Sequence, residues 1–211
     1  MALLGHKALV EANLPRHCFI ATELHGPNMP LGTNELVSDL PMLMAMYEPG
    51  MRMTSITAET VIGGDEYLSG LRMRLEDSSG KEKLDLVQIG TDGVDWESER
   101  KNFGRYIDRV SIVYDHNGVC DLVVYDGNDG IRSTNMTKDL ENCQVGGSDY
   151  KIQEVTLKMF TQTPLVGFHG RVDEYGIVEL GLIFFDAVSD ECKKSDENHS
   201  MQMIEGMNDF S

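Results

Sequence analysis

The chain has 211 residues, 41% of them hydrophobic and 25% charged, enough for one large domain or one domain with extensions. Thirty-five acids against 18 Lys and Arg leave a formal net charge of -17. Such a surface repels phosphate backbones and anionic lipid, so neither nucleic acid nor a membrane surface is an expected partner. No run approaches the roughly 18 apolar residues of a membrane span. The start, MALLGHKALVEANLP, is broken by His6, Lys7 and Glu11, unlike a secretory leader, and the protein is expected to be intracellular and cytoplasmic. On that footing the sequons at Asn135 and Asn198 are chance matches. Cysteines 18, 120, 143 and 192 show no CxxC spacing and are expected to be reduced; a Cys120–Cys143 bridge is sterically conceivable.

Five of the six prolines (15, 27, 30, 41 and 49) fall in the first 50 residues. Proline fixes φ and lacks a donor, so residues 1–50 read as a largely irregular extension with short helical pieces. Asn34 offers a helix cap, and Pro41 is expected to disturb the helix it starts. The apolar run MLMAMY at 42–47 needs cover and is expected to pack on the main domain.

From residue 51 the pattern changes to period two. In LSGLRMRL (68–75), Leu71, Met73 and Leu75 alternate with Arg72 and Arg74, a half-buried strand. KEKLDLVQIG, beyond the turn at 77–80, reads as another strand. In RVSIVYDHNGVCDLVVYDGNDG (109–130), two β-rich runs flank Asn117-Gly118, a pair suited to a type I′ hairpin turn. IQEVTLKMF (152–160), PLVGFHGR (164–171) and GIVELGLIFF (176–185) complete the strand candidates. No helix-period segment of comparable length occurs within 51–188, which makes the chain all-β, an antiparallel sandwich, barrel or prism. The tail from Asp190 carries six acids against Lys193 and Lys194. The expected division is therefore an extension (1–50), a β domain (51–188) and an acidic tail (189–211).

The stretch VGFHGR (166–171), followed by a polar loop and GLIFFD, resembles the last third of a jacalin-related lectin domain. YLSGLRMRLEDSSG and the 109–130 hairpin resemble that family's repeated strand–turn–strand units. The resemblance spans about 51–188. It implies a β-prism of three four-stranded antiparallel sheets and a non-catalytic, carbohydrate-binding module. In the family the binding loop ends in glycine, three residues, then an aspartate that accepts hydrogen bonds from sugar hydroxyls. Here the matching acid is Glu179, four residues after Tyr175; Gly176 stands three before it, and the loop is longer. The resemblance thus implies a ligand loop over 171–179, with Asp173, Tyr175, Gly176 and Glu179, and an accompanying glycine pair at Gly63-Gly64. The altered loop and long termini also suit a structural or assembly subunit that has lost the sugar site and meets protein partners through its extensions.

Other constellations point to less. His169, Arg171 and Asp173 share one strand face, but no nucleophile motif accompanies them, so no enzyme is expected. His17, Cys18 and His25 lack finger spacing, and 126–130 lacks the glutamate of a calcium loop; no metal or cofactor is expected. Methionine clusters at 42–46, 51–53 and 201–207 suit adaptable binding surfaces.

Overall fold

In the computed structural model, residues 14–27, 35–61, 68–77, 79–80, 83–86, 89–90, 96–102, 107–126, 132–135, 153–158, 163–174 and 176–193 are described. After a 3-10 turn at Arg16–Cys18, strands β1 (Phe19–Ala21) and β2 (Glu35–Ser38) precede helix α1 (Leu40–Met46). Then come β3 (Arg52–Val61), β4 (Leu68–Glu76), β5 (Lys83–Asp85), β6 (Ile89–Gly90) and β7 (Trp96–Asn102). The remainder are β8 (Ile107–Tyr114), β9 (Val119–Asp126), β10 (Arg132–Asn135), β11 (Gln153–Lys158), β12 (Leu165–Val172), β13 (Ile177–Phe185) and helix α2 (Asp190–Lys193).

These strands form three antiparallel sheets. The first has the order β5-β4-β3-β7, with β6 also paired to β4. The expected single strand over KEKLDLVQIG is thus two short strands sharing one edge of β4, at Arg74–Glu76 and at Gly70–Leu71. The second sheet is β10-β9-β8-β11 and the third β1-β13-β12-β2. Side-chain alternation aims one face of each sheet at a shared centre. Ile56, Met73 and Leu75 of the first sheet meet Ile112, Leu122 and Val124 of the second and Phe168, Leu180 and Leu182 of the third in one apolar cluster.

The described part of the 1–50 segment is built into this prism. Phe19–Ala21 pair with Ile183–Phe185, and Glu35–Ser38 pair with His169–Val172, so both outer strands of the third sheet come from before residue 51. Pro41 opens α1 instead of disturbing it, with Asp39 at the N-cap. A first-turn proline gives up only an N–H that has no helical acceptor. Gly167 lets α1 lie close on the sheet: a Cβ there would stand 2.9 Å from Leu43 Cδ1 and 3.0 Å from Asp39 Cβ. Tyr47, just past the helix, packs its ring on Phe19 and Phe185 at centroid distances of 5.9 and 4.8 Å. The methionines at 42, 44, 51 and 53 are drawn into or against the core, where the sequence suggested binding surfaces; Met46 alone of the described cluster members is exposed. Residues 201–207 lie outside the described residues.

Two further expectations are corrected. Cys18 and Cys192 form a disulfide across 174 positions of sequence. Their spacing could not reveal it, because β1–β13 pairing is what brings the two ends together. Cys120 is buried apart from it, and Cys143 lies outside the described residues. The second correction concerns the β8–β9 turn. It forms where Asn117-Gly118 predicts, yet neither residue has positive φ, so it is not type I′. Asp115 shapes it: its Oδ1 accepts the Asn117 N–H at 2.8 Å, and its own N–H donates to the Gly118 carbonyl at 3.1 Å. Aspartate side chains commonly close turns in this way.

Candidate ligand-binding site

One end of the prism brings the β8–β9 and β12–β13 turns together with the start of β4, so all three sheets meet there. The β12–β13 turn is closed by Asp173, whose N–H donates to the Gly176 carbonyl and whose Oδ1 accepts the Gly176 N–H, each at 3.0 Å. Gly176 has a φ of 153°, and a Cβ there would stand 2.7 Å from the Leu68 carbonyl oxygen. Glycine is needed on both counts. Leu68 begins β4 of the first sheet, so the third sheet's turn abuts the start of that strand. At Gly118, the second sheet's turn leaves room for only 2.9 Å between a Cβ and the Ile177 carbonyl, at the start of β13. The shared end therefore offers closely spaced backbone groups edged by carboxylates.

The predicted residues divide within this frame. Asp173 and Gly176 build the turn itself. Glu174 is exposed beside them. Tyr175, Gly63 and Gly64 lie outside the described residues. Glu179 sits two positions into β13, opposite Arg171 in the ladder. Its Oε2 lies 2.9 Å from Arg171 Nε, with side-chain exposures of 31% for Arg171 and 21% for Glu179. That carboxylate is held along the strand face and reaches a ligand only by sharing or leaving the arginine. A half-exposed pair of this kind contributes at most about 1 kcal/mol, so exchange for another donor is inexpensive.

His169, Arg171 and Asp173 do not form a catalytic relay. Arg171 pairs with Glu179, Asp173 closes its turn, and the His169 ring lies on Gly181, with Cε1 2.8 Å from where a Cβ would stand. Burial lowers the His169 pKa, against a smaller opposing effect of the Thr22 backbone, and its Nε2 is buried without a hydrogen-bond partner. A histidine so placed favours the neutral form and a packing role.

The least expected group is Asp39, only 2% exposed. Its Oδ2 accepts the Phe168 N–H at 2.8 Å, and its own N–H donates to the Phe168 carbonyl at 3.0 Å. Burial pushes its pKa up to about 7, with the Phe168 hydrogen bond opposing. It locks α1 to β12 on the strand that leads to the candidate loop. The sequence carries only a weak signal for it, an acid just before Leu40-Pro41.

The fold is that of the jacalin-related lectins, a β-prism. An artocarpin–mannopentose complex superposes with a TM-score of 0.52 at 12% identity, covering 78% of this chain and 96% of the other. Single-chain recombinant jacalin gives 0.51 at 12% identity, covering 79% and 93%. Calystegia sepium agglutinin gives 0.50 at 18% identity, covering 79% and 96%. No protein-family profile matches the sequence, and no curated protein does. At these identities the likeness establishes architecture, and function has to be argued from the site.

Proposed function

We propose that this protein is a non-catalytic glycan-binding module whose site is the prism end formed by the Asp173–Gly176 turn, Glu179 and the glycine pair Gly63-Gly64. The observation that carries this reading is the meeting of the β8–β9 and β12–β13 turns with the start of β4, held close by Gly176 against Leu68 and Gly118 against Ile177. Backbone amides and carboxylates at such a junction suit the dense, alternating donors and acceptors of a sugar's hydroxyls. Structural neighbours of the same fold include artocarpin with mannotriose and a Calystegia lectin with a biantennary N-glycan, which makes mannose-containing glycans the first candidates. Within this reading Glu179 exchanges its Arg171 partner for a sugar hydroxyl, or accepts from both.

An array of immobilised glycans, mannose-terminated ones included, tests the proposal. Wild type binds a defined subset, and Glu179→Ala weakens that binding by about tenfold to a hundredfold, the worth of a hydrogen bond to a charged group. Absence of any bound glycan, or binding unchanged in Glu179→Ala, rejects the site.

A second reading is an assembly subunit in which the prism is a scaffold. The Arg171–Glu179 pair favours it, because it engages the one acid that the sugar-binding pattern requires. In that case the array is blank and the native protein travels in a larger complex. Among the described residues no helix is long and apolar enough to cross a membrane. The Cys18–Cys192 disulfide supports a compartment where thiols are oxidised, in place of the expected cytoplasm.

A further inference from the structure

The disulfide has a neighbour that the lectin reading does not use. His17 precedes Cys18 in the 3-10 turn, and its ring nitrogen lies with the sulfurs of Cys18 and Cys192 inside a cluster whose atoms are all within 4.8 Å of one another. His17 Nε2 is also 3.3 Å from Glu191 Oε2, the residue before Cys192. Both cysteines are fully buried, while the His17 and Glu191 side chains are 58% and 81% exposed. Two soft donors thus lie at the bottom of the cluster and harder donors at its mouth.

We infer that reduction of the Cys18–Cys192 disulfide converts this cluster into a binding site for a thiophilic divalent cation such as zinc, held by the two thiolates and His17, with Glu191 or water in the fourth position. Two thiolates, an imidazole and an oxygen donor match the tetrahedral preference of zinc. The redox step balances simply. A dithiol reductant gives up two electrons and two protons and becomes a disulfide, while the protein's S–S bond becomes two S–H groups. The cation then displaces both protons as the S–metal bonds form.

The ligands stay together without the covalent bond. Phe19 pairs with Phe185, the Asp186 N–H donates to the Cys18 carbonyl at 2.9 Å, and the Cys18 N–H donates to the Pro15 carbonyl at 3.0 Å. On the other side, the Cys192 N–H donates to the Ser189 carbonyl at 3.2 Å. The backbone that presents the sulfurs is thus fixed by hydrogen bonds independent of the disulfide, and the Cα–Cα distance is 5.6 Å. This inference is independent of the glycan reading.

Cobalt(II) is the probe, because thiolate ligation gives it an intense near-ultraviolet charge-transfer band. The full chain is reduced with a phosphine, which becomes the phosphine oxide, and titrated with cobalt(II) while circular dichroism follows the sheets. Reduced wild type shows a two-thiolate band that zinc(II) abolishes, and the oxidised protein shows none. Reduced Cys192→Ser loses the band, and His17→Ala weakens cobalt binding by about tenfold or more. The inference is overturned by a reduced wild type without the band, by a band that persists in Cys192→Ser, or by cobalt binding unchanged in His17→Ala. It is equally overturned if reduction erases the sheet spectrum and the metal fails to restore it.

Discussion

The second and third sheets are built in opposite ways. In the second, β8 and β9 are consecutive and joined by the short Asp115–Gly118 turn, so pairing is local. In the third, the central β12–β13 hairpin is local, but its flanking strands come from residues 19–21 and 35–38, more than 120 positions away. The third sheet therefore depends on contacts that are expensive in loop-closure entropy and need reinforcement. It has a disulfide at one edge, a buried aspartate at the other, and a helix laid over Gly167. Among the described residues, no disulfide ties the second sheet, where Cys120 of β9 is a buried thiol.

The largest effect should come from the side chain on which the third sheet is centred. Phe168→Ala removes a fully buried ring and should cost about 3–5 kcal/mol in denaturant titrations. A loss below about 1 kcal/mol would show that the third sheet does not depend on this ring. Next comes the cross-link. Cys192→Ser frees the ends of a very long loop and should cost about 2–4 kcal/mol. Hydrogen exchange should then show lost protection at β1 and retained protection at β8 and β9; uniform loss would mean that the sheets open together.

The smallest effect is the most diagnostic. Folding raises the Asp39 pKa from 3.8 to about 7, so the folded state binds more protons than the unfolded one between these values. Its contribution to wild-type stability is complete below the lower value and is lost as the pH rises through the upper one. Asp39→Asn keeps an acceptor for the Phe168 N–H without the charge. It should be neutral in acid and stabilising by about 1–3 kcal/mol near pH 8, read from melting curves across that range. A pH-independent difference would show that the carboxyl stays ionised throughout.

Legibility in sequence follows the same division. Alternation of Leu71, Met73 and Leu75 with Arg72 and Arg74 marks β4, and the VGFHGR run marks β12, because period-two patterning is a local property. β1 and β2 are three and four residues long and lie among prolines, and their mostly exposed residues carry no buried–exposed alternation to detect. Pairing of Cys18 with Cys192 depends on strand order, which spacing does not encode. At the candidate site, Gly176 was legible as a turn glycine. The role of Gly118 was not: the sequence suggests positive φ, and the structure instead demands room for the Ile177 carbonyl. Glu179 was legible as an acid near the loop, but its capture by Arg171 depends on register, which shifts between Arg171 and Val172.

The edges of the third sheet impose an order of events on a chain made from its N-terminus onward. Phe19–Ala21 cannot find a partner until Ile183–Phe185 has left the ribosome, so most of the protein is synthesised while these early segments wait unpaired. The first and second sheets have all their strands by Lys158 and can form sooner. A nascent chain stalled shortly before residue 177 should thus carry two sheets and an open flank, the species that a chaperone would meet.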